Sequence, residues 1–168
     1  MGKKIFVLIF FCLIFVATST YGKGNNDNFE KIYKDAGYTS IEEAINSFEK
    51  NNKSTINNIP KQTDIPFKVT HTFGQFDKTK SKDVRIEYVN KDSGELFFIL
   101  VYPSKNHIPI TKPDKIGKFK DNKQYKIVKE KDFLTFQFQS KEFSYIMSSN
   151  TKNIKEEDFI KIANSIKK

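Results

Sequence analysis

The side chains able to do chemistry are few and scattered. His71 and His107 are the two histidines of the chain. Neither has a carboxylate or a second histidine at the helical spacing that sets two metal ligands on one face. His71 alternates with apolar neighbours and reads as a partly buried strand residue, and His107, in a proline-rich stretch, reads as exposed. There is no G-x-S-x-G, no H-E-x-x-H and no phosphate-cradling glycine loop. Nucleophilic hydrolysis needs a base beside the nucleophile, and the sequence offers no serine–histidine pair.

The carboxylate clusters Glu42-Glu43 and Glu156-Glu157-Asp158 have the composition of acid/base pairs. Each set also opens a helical pattern, where free backbone N–H groups and the helix dipole stabilise negative charge, so capping accounts for them. In F-K-D-N-K-Q-Y-K, Phe119 and Tyr125 interleave with lysines as in a base-stacking platform. Alternation accounts for them equally well as core residues. No nucleic-acid partner is expected, no cofactor is implied, and no residue is assigned as catalytic, cofactor-binding or metal-ligating.

Positioning elements follow from patterning. Residues 1–22 carry Lys3 and Lys4, an unbroken apolar run from Ile5 to Ala17, then small and polar residues to Gly22. That is the order of a secretory signal, with cleavage expected after Gly22. The run falls short of the roughly 20 apolar residues needed to span a bilayer, so the mature form is expected to have no transmembrane segment. Cys12, the one cysteine, lies inside this run without the small residue before it that lipidation would need. The mature chain therefore has no thiol or disulfide chemistry.

The formal charge of +9 falls to +7 when Lys3 and Lys4 leave. Among 29 basic residues only Arg85 is an arginine, whereas phosphate and base readers favour the bidentate arginine fork. A lysine surface of this kind suits a solvated face, or attraction to an anionic wall or membrane surface.

Residues 23–28 read as a flexible leader, and 29–168 as a single α+β domain. Phe29, Ile32, Tyr33 and Ala36 have helical spacing ending at Gly37. Ser40 with Glu43 forms a capping-box pattern ahead of Ile41, Ala44, Ile45 and Phe48, which predicts a helix from 41 to about 50. Pro60 and Pro66 make the next connector extended. Phe67, Val69, His71 and Phe73 alternate as a strand, and so do Val84, Ile86 and Tyr88. Between them, Gly74 to Lys82 reads as a lysine-rich loop. N-K-D-S-G at 90–94 predicts a tight turn into a strand from Glu95 to Tyr102. That strand is apolar on both faces and needs cover on both, or it becomes an aggregation hazard. A connection punctuated by Pro103, Pro109 and Pro113 follows, then strands near 123–129, 132–139 and 142–148.

The last stretch, E-E-D-F-I-K-I-A-N-S-I-K-K, places Phe159, Ile162, Ala163 and Ile166 on one helical stripe. Asn153 is a candidate cap with Glu156, while Lys167 and Lys168 suit the negative end of the dipole. The stripe predicts a lid over the sheet around Leu96–Tyr102. The acidic first turn argues against a membrane-seeking helix. The fold expected is α+β: an antiparallel sheet of about five or six strands, two N-terminal helices and a C-terminal helix packed on the sheet.

The strand core L-T-F-Q-F, the strand F-S-Y-I-M-S and the helix E-E-D-F-I-K-I-A-N-S-I together resemble the C-terminal half of a domain-of-unknown-function family. The family occurs in envelope and secreted proteins of Gram-positive spore-forming bacteria and in the extracytoplasmic part of some anti-sigma factors. Phe136, Tyr145 and residues 157–166 match its pattern, and a looser likeness runs back to about residue 60. The resemblance implies location and fold, and carries over no catalytic residue. The leading expectation is thus a secreted or cell-surface, non-enzymatic domain binding an envelope protein or anionic polymer. Behind it stand a carrier holding a small apolar ligand between sheet and helices, and a hydrolase of unfamiliar type. The polymer binder predicts a lysine-rich face, the carrier an enclosed apolar pocket of roughly 300 Å³ or more, and the hydrolase a polar cleft with shifted pKa values.

Overall fold

The computed structural model describes residues 26–168 except 57, 79–81, 107, 108, 153 and 168. The signal reading at 1–22, His107, and the capping roles of Asn153 and Lys168 fall outside the described residues. The chain divides into two units, Met1–Ala36 and Gly37–Lys168. The described part of the first is helix α1, Asn26–Asp35. Its Phe29 and Tyr33, one turn apart, bring their rings within 5.3 Å. Residues 26–28, read from sequence as leader, are helical here. The chain leaves the helix through Gly37 at φ 84°, the left-handed conformation that glycine adopts without strain.

The second unit starts at Gly37, where the sequence reading began the domain at Phe29. It is an α+β fold on one seven-stranded antiparallel sheet. The strands are β1 (His71–Phe76), β2 (Val84–Asn90), β3 (Glu95–Pro103), β4 (Lys115–Lys118), β5 (Gln124–Lys129), β6 (Leu134–Gln139) and β7 (Phe143–Ser149). Their order across the sheet is β1-β2-β3-β7-β6-β5-β4. Two meanders of consecutive strands therefore meet where β3 pairs with β7, with Ile99 opposite Met147. The strand count exceeds the expected five or six because β4, only four residues long, lies inside the proline-punctuated connection. The first strand also begins later than its alternation suggests. Phe67 and Val69 pack on the core without a ladder, and pairing starts at His71 opposite Val89. The supposed loop from Gly74 gives its first residues to β1, which runs on to Phe76.

Helix α2 (Ile41–Asn52) begins as its cap predicts, with Glu43 N donating to Ser40 Oγ at 3.1 Å. Its Phe48 is fully buried, 5.9 Å from Phe76 of β1 and 5.9 Å from Phe143 of β7. Helix α3 (Glu156–Ile166) is the lid. Phe159, fully buried, lies 5.7 Å from Phe97 of β3 and 5.6 Å from Phe136 of β6. Its N-terminal donor is satisfied by Lys155 N to Asp158 Oδ2 at 2.9 Å, three residues inside the helix, which sets the cap at Lys155. Both ends are tied to the same hairpin. Tyr125 donates to Glu156 at 2.7 Å, and Lys167 reaches Asp121 at 2.8 Å with its ammonium 3.9 Å above the Phe119 ring.

At Gly74 the start of α2 lies close against β1. A Cβ there would lie 2.7 Å from both Ala44 Cβ and the Ser40 carbonyl oxygen. Gly74→Ala is expected to cost about 1–3 kcal/mol of stability, the usual range for overpacking a tight site. An unchanged midpoint in urea unfolding would show that α2 retreats freely.

Candidate functional site

Antiparallel partners point to the same face, so the register sorts the side chains of the sheet. One face carries the aromatic core: Phe97, Tyr145, Phe138, Phe136 and Tyr125, beneath α2 and α3. The rings fill the layer, with Tyr125 4.7 Å from Phe136 and Phe138 4.7 Å from Tyr145. The space in which an apolar ligand would lie between sheet and helices is occupied by these side chains. A depression of about 320 Å³ does occur on α2, but it is open and lined by polar residues such as Ser40, Glu43 and Lys50.

The opposite face is polar and partly buried. Glu87 has no exposed surface; it accepts from Tyr38 at 2.7 Å and from Arg85 Nε, two residues along the same strand. The Arg85 guanidinium also sits 4.2 Å over the Phe98 ring. Burial pushes the Tyr38 hydroxyl well above its usual range, reinforced by the Glu87 charge. Asp83, at the start of this row, is pushed up to about 6, mainly by burial. Further across the face, Thr135 meets Ser148 at 2.9 Å and Gln139 donates to Ser144 at 3.0 Å. These serine partners are hydroxyl and amide groups, which do not take a proton at neutral pH, so they activate no nucleophile. Glu87 is held by an arginine and a phenol. Among the described residues no group of three or more His, Cys, Asp or Glu side chains could hold a metal.

The residues singled out from sequence stay apart. His71 is half-buried in β1, 2.9 Å from the Thr70 hydroxyl and stacked with Phe73 at 6.1 Å. Glu42 and Glu43 sit in the first turn of α2, and Glu156, Glu157 and Asp158 in that of α3. Glu156 does more than cap. Hydrogen bonds from Lys115 and Tyr125 hold its carboxyl below the usual range. Burial and the bond to Glu156 push the Tyr125 hydroxyl up to about 12. Phe119 and Tyr125 turn their rings into the core, 5.1 Å apart, with the interleaved lysines outside.

What the fold does gather is positive charge. Residues 112–132, spanning β4, β5 and their flanks, hold eight lysines against four acidic residues. Lys112, Lys118, Lys120, Lys123, Lys129 and Lys131 are exposed there. Amid them, at the sheet edge, Ile116 is 56% exposed, the one large apolar side chain so placed among the described residues. The sequence reading passed over this hairpin because K-I-G-K is too short to show a period. Its available signal was Gly117. A Cβ there would meet the Tyr125 ring at 2.2 Å, so the glycine lets that ring cross the strand.

The chain gives no significant match to a protein family, a curated protein or a solved structure. Among the described residues no helix is long and apolar enough to cross a membrane.

Proposed function

We propose that this is a secreted or surface-retained, non-enzymatic domain that binds an anionic component of the cell envelope, polymer or protein. The observation that carries the reading is the lysine-rich β4–β5 hairpin, with eight lysines against four acids at one edge of the sheet. Clustered charge of one sign raises the local concentration of an oppositely charged partner and speeds its association. The signal-like order of residues 1–22 and the resemblance to an envelope-protein family support the location. On the polar face two carboxylates are buried, Asp83 and Glu87, and Glu87 is engaged by Arg85 and Tyr38.

The test is retention of residues 23–168 on isolated envelope fractions at low and at high salt. Attraction between exposed charges is screened beyond about 10 Å at 0.1 M salt, so retention is expected to fall steeply as salt rises. Replacing Lys118, Lys120 and Lys123 with glutamine should weaken it, and glutamines at Lys50, Lys155 and Lys161, on α2, at the cap of α3 and on α3, should not. Absence of retention at low salt overturns the reading.

A further inference from the structure

We propose that the outer edge of β4 takes up an extended, acidic segment of a partner protein as an eighth strand. This rests on the reading of the chain as a binding domain and names the surface and the partner's chemistry.

The geometry begins with the hairpin register. Phe119 N donates to Lys123 O at 2.9 Å, and Gly117 and Lys115 follow at two-residue steps opposite Tyr125 and Ile127. In an antiparallel ladder such alternate residues turn their backbone groups to the partner strand, and those between turn theirs away. Ile116 and Lys118 therefore present their N–H and C=O groups outward, at the open side of the sheet.

The two edges of the sheet are finished differently. On β1, Thr39 bridges to Gly74 and exchanges both hydrogen bonds, at 2.7 and 2.9 Å. On β4 no such bridge occurs among the described residues. Lysines commonly blunt an open edge against unwanted pairing, and Lys115 and Lys118 do that here. Ile116 between them does the opposite. It offers an apolar contact where a purely protective edge would carry a charge.

The surrounding charge selects the occupant. A second copy pairing antiparallel along β4 would bring lysines against lysines, which is destabilising across a strand pair. Ile116, Lys118 and Lys120 share one face of the strand, so the segment that fits carries acidic residues opposite Lys118 and Lys120 and an apolar residue two positions further along, opposite Ile116. Main-chain bonds would then supply affinity and the alternate side chains specificity, as in other strand additions.

The experiment uses the 168-residue protein, labelled with ¹⁵N, and a blocked Glu-Thr-Glu-Thr-Val-Thr peptide, which paired antiparallel sets its two glutamates opposite Lys120 and Lys118 and its valine opposite Ile116. The comparison is the same peptide N-methylated at alternate residues, which keeps its charge and removes the donors of one edge. The unmodified peptide is expected to shift the amide signals of Ile116 and Lys118 and to slow their exchange, with the methylated peptide binding at least tenfold more weakly. Ile116→Pro removes an N–H that the sheet does not use, as edge strands tolerate, and should weaken binding similarly. Equal binding of the two peptides overturns the strand addition and leaves the electrostatic reading standing. So does shift of lysine side chains elsewhere with Ile116 and Lys118 amides unmoved. Failure of peptide binding together with loss of salt-sensitive retention on envelope fractions overturns both readings. Should the proline variant not fold, the peptide pair decides alone.

Discussion

Phe159→Ala is expected to lower the unfolding free energy by about 3–5 kcal/mol, the range for removing a buried aromatic ring from a packed core. The ring has no solvent exposure and lies nearly parallel to Phe136, at 2°, while also contacting Phe97. It thus joins α3 to β6 and β3, which belong to different meanders of the sheet. Truncation leaves a cavity that neighbouring rings can only partly close, because each is held by further ring contacts. Phe159→Leu keeps most of the volume and should cost less than half as much. Urea unfolding with an unchanged slope would read both values. A loss below about 1 kcal/mol for Phe159→Ala would mean that the helix does not close this face of the core.

The second large effect concerns Arg85. Its guanidinium is the cation beside Glu87, a carboxylate with no exposed surface. Arg85→Met removes that cation and is expected to cost about 3–5 kcal/mol, since a buried charge is left without compensation. Replacing both residues, as Arg85→Met with Glu87→Leu, should cost markedly less than the single change, because no charge then needs water. A single variant as stable as the parent at pH 7 would show that the ion pair contributes nothing net.

Much of this architecture is legible in the chain itself. Ser40 and Glu43 announce α2, the 159-162-163-166 stripe announces α3, and N-K-D-S-G announces the β2–β3 hairpin. These signals are local, each complete within a dozen residues. Alternation at Phe67 and Val69 misled in a specific way, because a two-residue period reports burial on one side and says nothing of pairing. The lysine-rich edge is less legible still. Lysines are spread along the whole chain, and only the strand order decides that those of 112–132 gather at one border. Arg85 and Glu87 are visibly on one side of a strand, but that this side is buried depends on residues distant in sequence. Tyr38, 49 positions before Glu87, is one of them.

The connection from β3 to β4 deserves a measure of its reach. Through the registers, Lys115 stands level with Ile127, Phe136, Met147 and Ile99, four strands away from β3. The chain leaves β3 at Pro103, so it must travel diagonally across the sheet and back along it. Four inter-strand steps make about 19 Å and four residues of return about 13 Å, a diagonal of roughly 23 Å. Fully extended, about seven residues suffice, whereas residues 104–114 supply eleven. The surplus is what lets the strap bend inward at Ile110, whose N–H donates to Gln137 at 2.9 Å and whose carbonyl accepts from Lys126 at 2.8 Å. Only a few residues of slack separate this path from one too short to span, and below that length β4 could no longer reach its place beside β5.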